Sequence, residues 1–139
     1  MLNTSPMRPA VVIVLAVLAT AGCGRSDDRA EVRSVTEHFL AAFEAGDGQA
    51  ACVDLSTDTR KELESQEQRE CREAVGELQL EPGAPDRVEV YVTNAKVDLA
   101  SGQSVFLSRT QEGWRLSAVG CEPEAGEPAD RPFDCELEA

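Results

Sequence analysis

The sequence is poor in the side chains on which most enzymes and metal sites depend. It contains one histidine, one tryptophan and one tyrosine among 139 residues, and aromatic residues make up 4% of the chain. Structural zinc sites normally take Cys and His ligands from closely spaced pairs such as C-x-x-C. The chain has no such pair, and His38 is its single histidine. We therefore expect neither a metal site nor a cofactor.

Motifs of common enzymes are also missing. The chain contains no glycine-rich phosphate-binding loop, no H-E-x-x-H helix and no G-x-S-x-G nucleophile turn. A serine and a single histidine without an orienting acid motif do not indicate a catalytic triad. These absences predict a protein that is not an enzyme.

Basic residues are scarce: the chain has 13 Lys and Arg residues but 26 Asp and Glu residues, which gives a formal net charge of -13. Nucleic-acid phosphates would repel such a surface, so we expect no nucleic-acid partner. The acidic stretch 122–132 is rich in Pro and Gly but lacks the regular oxygen spacing of a calcium-binding EF-hand. It is typical of a solvated surface loop.

The N-terminus has the pattern of a secretory signal. Arg8 is followed by an apolar run from Ala10 to Ala21, which is shorter than the roughly 20 residues that span a bilayer. The run ends at Thr20-Ala21-Gly22-Cys23, which resembles a lipobox; the alternative is a short buried helix with a chance cysteine. We expect a signal peptide over 1–22, a lipid on Cys23 and a polar tether over 23–28.

This pattern predicts a location on the extracytoplasmic face of the cell membrane, anchored through the lipid. Anionic headgroups repel a strongly acidic domain, so we expect the domain to stand off the membrane on its tether.

Four cysteines remain once Cys23 is set aside: Cys52, Cys71, Cys121 and Cys135. An even number in an oxidising space predicts two disulfides, for which three connectivities exist. We favour Cys52 with Cys71 and Cys121 with Cys135 because each pair joins neighbouring elements. The spacings of these pairs lack the adjacency of redox-active C-x-x-C motifs, so structural disulfides are expected.

Hydrophobic periodicity and capping residues predict three helices. The first begins at Asp28 and ends at Gly46, and the second is capped by Asp47. A capping box of Thr59 and Glu62 begins the third. Their apolar positions are Val32, Val35, Phe39 and Phe43, then Ala50, Ala51 and Leu55, then Leu63, Cys71, Val75 and Leu78.

From residue 86 onward the apolar period is two, which indicates strands. Valines alternate at even positions over 88–92 and apolar residues at odd positions over 95–99, so we expect a bulge or bend near Asn94. Turns at Ser101-Gly102 and Glu112-Gly113 predict an antiparallel meander. We expect a short last strand over 133–137 and one shared face for Trp114, Leu116 and Ala118. Phe106 and Trp114 are expected in the core; the alternative is that they line a pocket mouth or a dimer face.

Two segments resemble the NTF2-like (SnoaL-like) superfamily. The segment Phe39-Leu40-Ala41-Ala42-Phe43-Glu44-Ala45-Gly46-Asp47 looks like its first-helix ending, and Gly113-Trp114-Arg115-Leu116 looks like its penultimate strand. The resemblance implies a single α+β domain over 29–139, with N-terminal helices on a curved antiparallel sheet that forms a cone. Enzymes of that group place acid–base residues inside the cone, and the candidates here are His38, Tyr91 and Asp98.

Two functions follow as expectations. The first is a membrane-anchored, non-enzymatic interaction module that binds an envelope protein or a second copy of itself through its sheet. The alternative is a small-molecule-binding or enzymatic domain that uses the cone pocket, with the three polar candidates as its functional groups.

Overall fold

The structure, a computed structural model, describes residues 23–124 and 133–139. The predicted signal peptide and residues 125–132 of the predicted acidic loop lie outside the described residues. Helices come first and are followed by one five-stranded antiparallel sheet, so the expected α+β class is confirmed. The helices are α1 (Cys23–Glu44), α2 (Gly48–Asp54), α3 (Thr57–Glu67) and α4 (Cys71–Ala74), followed by a 3₁₀ turn (Val75–Glu77). The strands are β1 (Pro85–Val90), β2 (Asn94–Leu99), β3 (Ser104–Thr110), β4 (Gly113–Pro123) and β5 (Phe133–Glu138).

Helix α1 begins at Cys23, five residues earlier than its predicted start at Asp28. The segment 23–28, expected to be a tether, is therefore helical. Asp28 does not cap the helix, because its carboxylate accepts a hydrogen bond from the indole of Trp114. The predicted end is confirmed, since Gly46 adopts φ +70°, a left-handed conformation that favours glycine.

The second predicted helix is confirmed, and the third is interrupted. Asp47 caps α2 by accepting the N–H of Ala50 at 3.1 Å. Ser56, not Thr59, caps α3, because its hydroxyl accepts the Thr59 N–H while the Thr59 hydroxyl donates to the Ser117 carbonyl. Helix α3 ends at Gln68, which adopts φ +53°, so the predicted single helix becomes α3, α4 and a 3₁₀ turn. Its four predicted apolar positions are all buried: Leu63, Cys71, Val75 and Leu78.

The bulge or bend predicted near Asn94 is a complete reversal of the chain between two strands. The chain reverses at 91–93, and β1 pairs antiparallel with β2, with Val90 opposite Ala95. The parity of the apolar positions changes because the chain turns back, not because one strand is bulged. The turns at Gly102 and Gly113 are confirmed, with φ +97° and +104°.

The strands follow one another in the sheet in chain order, and the helices cover one face. Trp114 and Leu116 of β4 are buried in the core, as predicted. The prediction that Ala118 shares their face is wrong, because a register shift places Leu116 opposite Leu107 but Ala118 opposite Phe106, on the other face. The register of β3 against β4 shifts on both sides of Phe106, which bends the sheet there. Fully buried side chains between the helices and the sheet are Val32, Phe39, Leu63, Val97, Leu107, Trp114 and Leu116.

Both predicted disulfides are present with the favoured pairing. Cys52–Cys71 joins α2 to α4 across a Cα separation of 6.1 Å. Cys121–Cys135 joins directly opposed residues of β4 and β5. In the chain-entropy model, each loop closure stabilises the fold by roughly 3 kcal/mol.

A cluster of polar contacts fixes the start of α1 to the hairpin of β3 and β4. The Glu31 carboxylate accepts the backbone N–H of Trp114 at 3.1 Å, and Asp28 accepts the indole N–H at 3.2 Å. The Arg109 guanidinium pairs with Asp28 and lies 4.9 Å from the Trp114 ring centroid. We call these four residues the α1 clamp.

The clamp predicts a specific loss of stability. Asp28→Ala should lower the free energy of unfolding by about 1–3 kcal/mol, because the Trp114 indole and Arg109 lose their acceptor. Denaturant unfolding of the folded domain measures this change. The matched control is Asp27→Ala, at an exposed position in the same helical turn. Equal effects of the two substitutions would show that the clamp does not stabilise the fold.

Candidate functional site

The three predicted pocket residues lie in different places. His38 is on α1, Tyr91 is in the β1–β2 turn with 62% of its surface exposed, and Asp98 is on β2. Within the described ranges no hydrogen bond or ion pair joins any two of them, and none lines the cavities described below. The structure does not bring them together as one site.

His38 forms a pair with Asp54. Its Nδ1 atom contacts a carboxylate oxygen of Asp54, which lies at the end of α2 and is largely buried. This hydrogen bond, with the negative charges of Asp54 and Asp47, raises the pKa of His38 above its usual 6.5 despite partial desolvation. The imidazole is 58% exposed, and its contact links α1 to α2. The geometry is that of a structural ion pair.

Asp98 belongs to the sheet face that turns away from the helices. Its neighbours Val97 and Leu99 are in the core, so alternation places Asp98 on the outer face. Partial burial opposes its ionisation, but a 2.7 Å hydrogen bond from Ser104 and the Lys96 ammonium at 2.9 Å outweigh that burial. They hold the pKa of Asp98 below its usual value.

Two aromatic rings meet on the same outer face. Phe106 lies between the core residues Val105 and Leu107, and its ring packs edge-on against Phe133 at 5.1 Å between centroids. The Lys96 ammonium lies 4.9 Å from the centroid of Phe133. The expectation that Phe106 belongs to the core is therefore wrong, and the alternative, a place in a pocket lining, applies to it. Trp114 is fully buried, as expected. The alternation of Phe106 with Val105 and Leu107 was the signal that could have placed it.

The aromatic pair forms part of a cleft of about 380 Å³, here named the sheet cleft. Its lining residues are Asn94, Phe106, Leu107, Ser117, Ala118, Phe133, Cys135, Glu138 and Ala139. Its lining combines apolar side chains with the amide of Asn94, the hydroxyl of Ser117 and the carboxylate of Glu138. Such a surface can take up an apolar side chain and orient it through a few polar contacts.

A second cavity, of about 510 Å³, separates the α2–α3 connection from the β3–β4 turn. Its walls carry charges of both signs, including Asp58, Arg60, Glu112 and Arg115. Across residues 23–124 and 133–139, no three His, Cys, Asp or Glu side chains are grouped to hold a metal ion. No helix in these ranges is long and apolar enough to cross a membrane.

The His38–Asp54 pair predicts a pH dependence of stability. A raised folded-state pKa stabilises the protein fully below pH 6.5, and this contribution is lost as the pH rises through the folded-state value. Since His38 is the only histidine, a single imidazole NMR signal reports its titration. We expect a midpoint above 6.5 that moves back toward 6.5 in Asp54→Asn.

Asp47→Asn is the matched control, because asparagine also caps helices and Asp47 contributes the smallest of the four effects on the His38 pKa. It should shift the midpoint less than Asp54→Asn does. A wild-type midpoint at or below 6.5 would contradict the pairing.

Comparison with known proteins adds no relative: no protein-family model matches the chain, and neither a curated protein nor a solved structure matches it. The NTF2-like resemblance therefore stays a prediction from the residues.

Proposed function

We propose that the mature protein is a lipid-anchored, extracytoplasmic interaction module that is not an enzyme and binds a protein partner through its sheet cleft. The observation that carries the proposal is the apolar cleft around Phe106 and Phe133 on the outer sheet face. Aromatic side chains in partly enclosed sites are the typical anchors of protein–protein interfaces.

The chemistry of the cleft favours a partner that presents an apolar side chain beside basic or neutral groups. The protein carries a net charge of -13, so an acidic partner would be repelled at long range. Glu138 at the cleft edge and the Lys96–Asp98 pair nearby offer charged contacts to a partner's polar groups. A second copy of the chain is the other partner that the cleft could accept.

The cone-pocket alternative has less support. Its three candidate residues do not meet, and the space between helices and sheet holds fully buried side chains such as Trp114, Phe39 and Leu63. The two disulfides support export, because such bonds form and persist outside the reducing cytosol.

The anchor is tested on the full chain expressed in a bacterium that processes lipoproteins. We expect the wild-type protein in the membrane fraction, with an intact mass that fits cleavage before Cys23 and addition of a diacylglyceryl group. Cys23→Ala should lack the lipid mass and leave that fraction. A wild-type protein of unmodified mass outside the membrane fraction would refute the anchor.

The cleft is tested by crosslinking in intact cells followed by pull-down. Phe106→Ser should reduce recovery of the specific partner at least about tenfold, which corresponds to the loss of one interface anchor worth more than 1 kcal/mol. The matched control is Phe43→Ser, which removes another half-buried phenyl ring, on α1 and outside the cleft. Undiminished recovery with Phe106→Ser would exclude the cleft as the binding surface.

A further inference from the structure

The turn between β1 and β2 carries two exposed apolar side chains. Tyr91 is 62% exposed and Val92 is 86% exposed, and the Tyr91 N–H closes the turn on the Asn94 carbonyl at 2.7 Å. Turn positions normally favour Gly, Asn, Asp, Ser or Pro. Single exposed apolar residues are common on protein surfaces, so the exposure of these side chains does not by itself indicate a binding surface. The position of the turn in the molecule is more informative about its function.

The turn lies at the same end of the sheet as the start of α1. The Arg109 N–H donates to the Thr93 carbonyl at 2.8 Å, and the Arg109 guanidinium pairs with Asp28 of α1. Two contacts therefore connect the β1–β2 turn to the first part of α1. The turn at Gly102 and the paired strand ends at Pro123 and Phe133 lie at the opposite end, because the strands are antiparallel.

Helix α1 continues without interruption from Asp28 back to Cys23. Five residues of α-helix rise about 7.5 Å, so the lipid-bearing residue stands close to the clamp. The clamp fixes this part of the helix to the sheet. A lipid on Cys23 would therefore hold the β1–β2 turn near the membrane instead of leaving the domain on a free tether.

The charge at this end differs from that of the whole protein. Residues 23–31 and 109–115 contain four arginines and four acidic residues, and residues 90–94 contain no charged side chain. This end is electrically balanced although the protein has 26 acidic and 13 basic residues. Anionic headgroups would repel it less than any acidic face. Tyrosine is enriched at membrane interfaces, where its ring is buried and its hydroxyl is hydrated.

We propose that Tyr91 and Val92 enter the lipid–water interface of the membrane that carries the Cys23 anchor and form a second point of membrane contact. This inference rests on the proposed lipid anchor. It replaces the expected stand-off of the domain by a fixed orientation in which the β1–β2 turn faces the bilayer.

Fluorescence quenching in vesicles tests the contact on the lipid-anchored full chain. The lipids are phosphatidylcholine and phosphatidylglycerol, with bromine atoms on the upper part of the acyl chains. Val92→Trp should lose most of the emission that the new indole adds. The matched control is Ala100→Trp, at an exposed position beside the turn at the opposite end of the sheet, which should keep its emission. Trp114 is fully buried and gives the same background in both variants.

A second measurement uses the wild-type turn, because the tryptophan introduced by Val92→Trp itself favours membrane interfaces. Tyr91 is the only tyrosine of the chain, so coupling of a water-soluble, membrane-impermeant diazonium reagent to the peptide that contains Tyr91, measured by mass spectrometry, reports its accessibility separately from that of His38. Coupling should be several times slower in the anchored wild-type protein than in unlipidated Cys23→Ala mixed with the same vesicles. Equal rates, or quenching of Val92→Trp no greater than that of Ala100→Trp, would overturn the proposal.

The outcomes also separate the two proposals. A wild-type chain without the lipid mass refutes the anchor itself, whereas a lipidated chain with an accessible Tyr91 refutes only the membrane contact. Protection that appears without vesicles and grows with protein concentration would identify a second copy of the chain as the occupant, and would likewise overturn the membrane contact.

Discussion

The carboxylates of Asp28 and Glu31 accept the two N–H groups of Trp114, and these bonds determine where α1 crosses the sheet. Trp114 is fully buried, so both of its donors require partners inside the protein. The residues that follow on α1 then pack Val32 and Phe39 against the strands. The position of one long helix, and with it the filling of the inner sheet face, depends on this contact.

The two faces of the sheet have separate roles because they differ in what covers them. On the inner face, helices exclude water and leave a packed core. On the outer face, the Lys96–Asp98 pair lies beside two aromatic rings that none of the described helices covers. The disulfides reinforce the margins of this arrangement, one among the helices and one between the last two strands. A domain of this size has a modest core, so such crosslinks contribute a large share of its stability.

Local patterns predicted much of the fold. Apolar spacing identified α1, and the glycines at 46, 102 and 113 identified the end of α1 and two strand turns. The even number of cysteines after a predicted export signal suggested the disulfides. The change of parity near Asn94 predicted a bulge or bend, but the full reversal at 91–93 was not predicted, because Tyr-Val-Thr has the composition of a strand. The end of α3 at Gln68 was missed for a similar reason, since glutamine is normally a good helix former.

The contacts of the candidate site residues were harder to predict from the sequence, because they join residues that are far apart in the chain. His38 meets Asp54 across 16 positions, and Asp28 meets Trp114 across 86. No periodicity encodes such pairs. The resemblance to a superfamily with an internal pocket suggested that His38, Tyr91 and Asp98 would lie together. In the fold, His38 pairs with Asp54, and Asp98 pairs with Lys96 and Ser104.

The chain-order arrangement of the strands has a consequence for the order of folding. Each strand pairs with its neighbour in sequence, so every hairpin can form as soon as its second strand has been synthesised or translocated. Helix α1 is the exception. It is synthesised first, but its acceptors Glu31 and Asp28 bind the N–H groups of Trp114, which lies 83 and 86 residues later in the chain. Helix α1 can pack on α2 and β1 earlier, but its polar contacts with Trp114 form only after β4 has emerged.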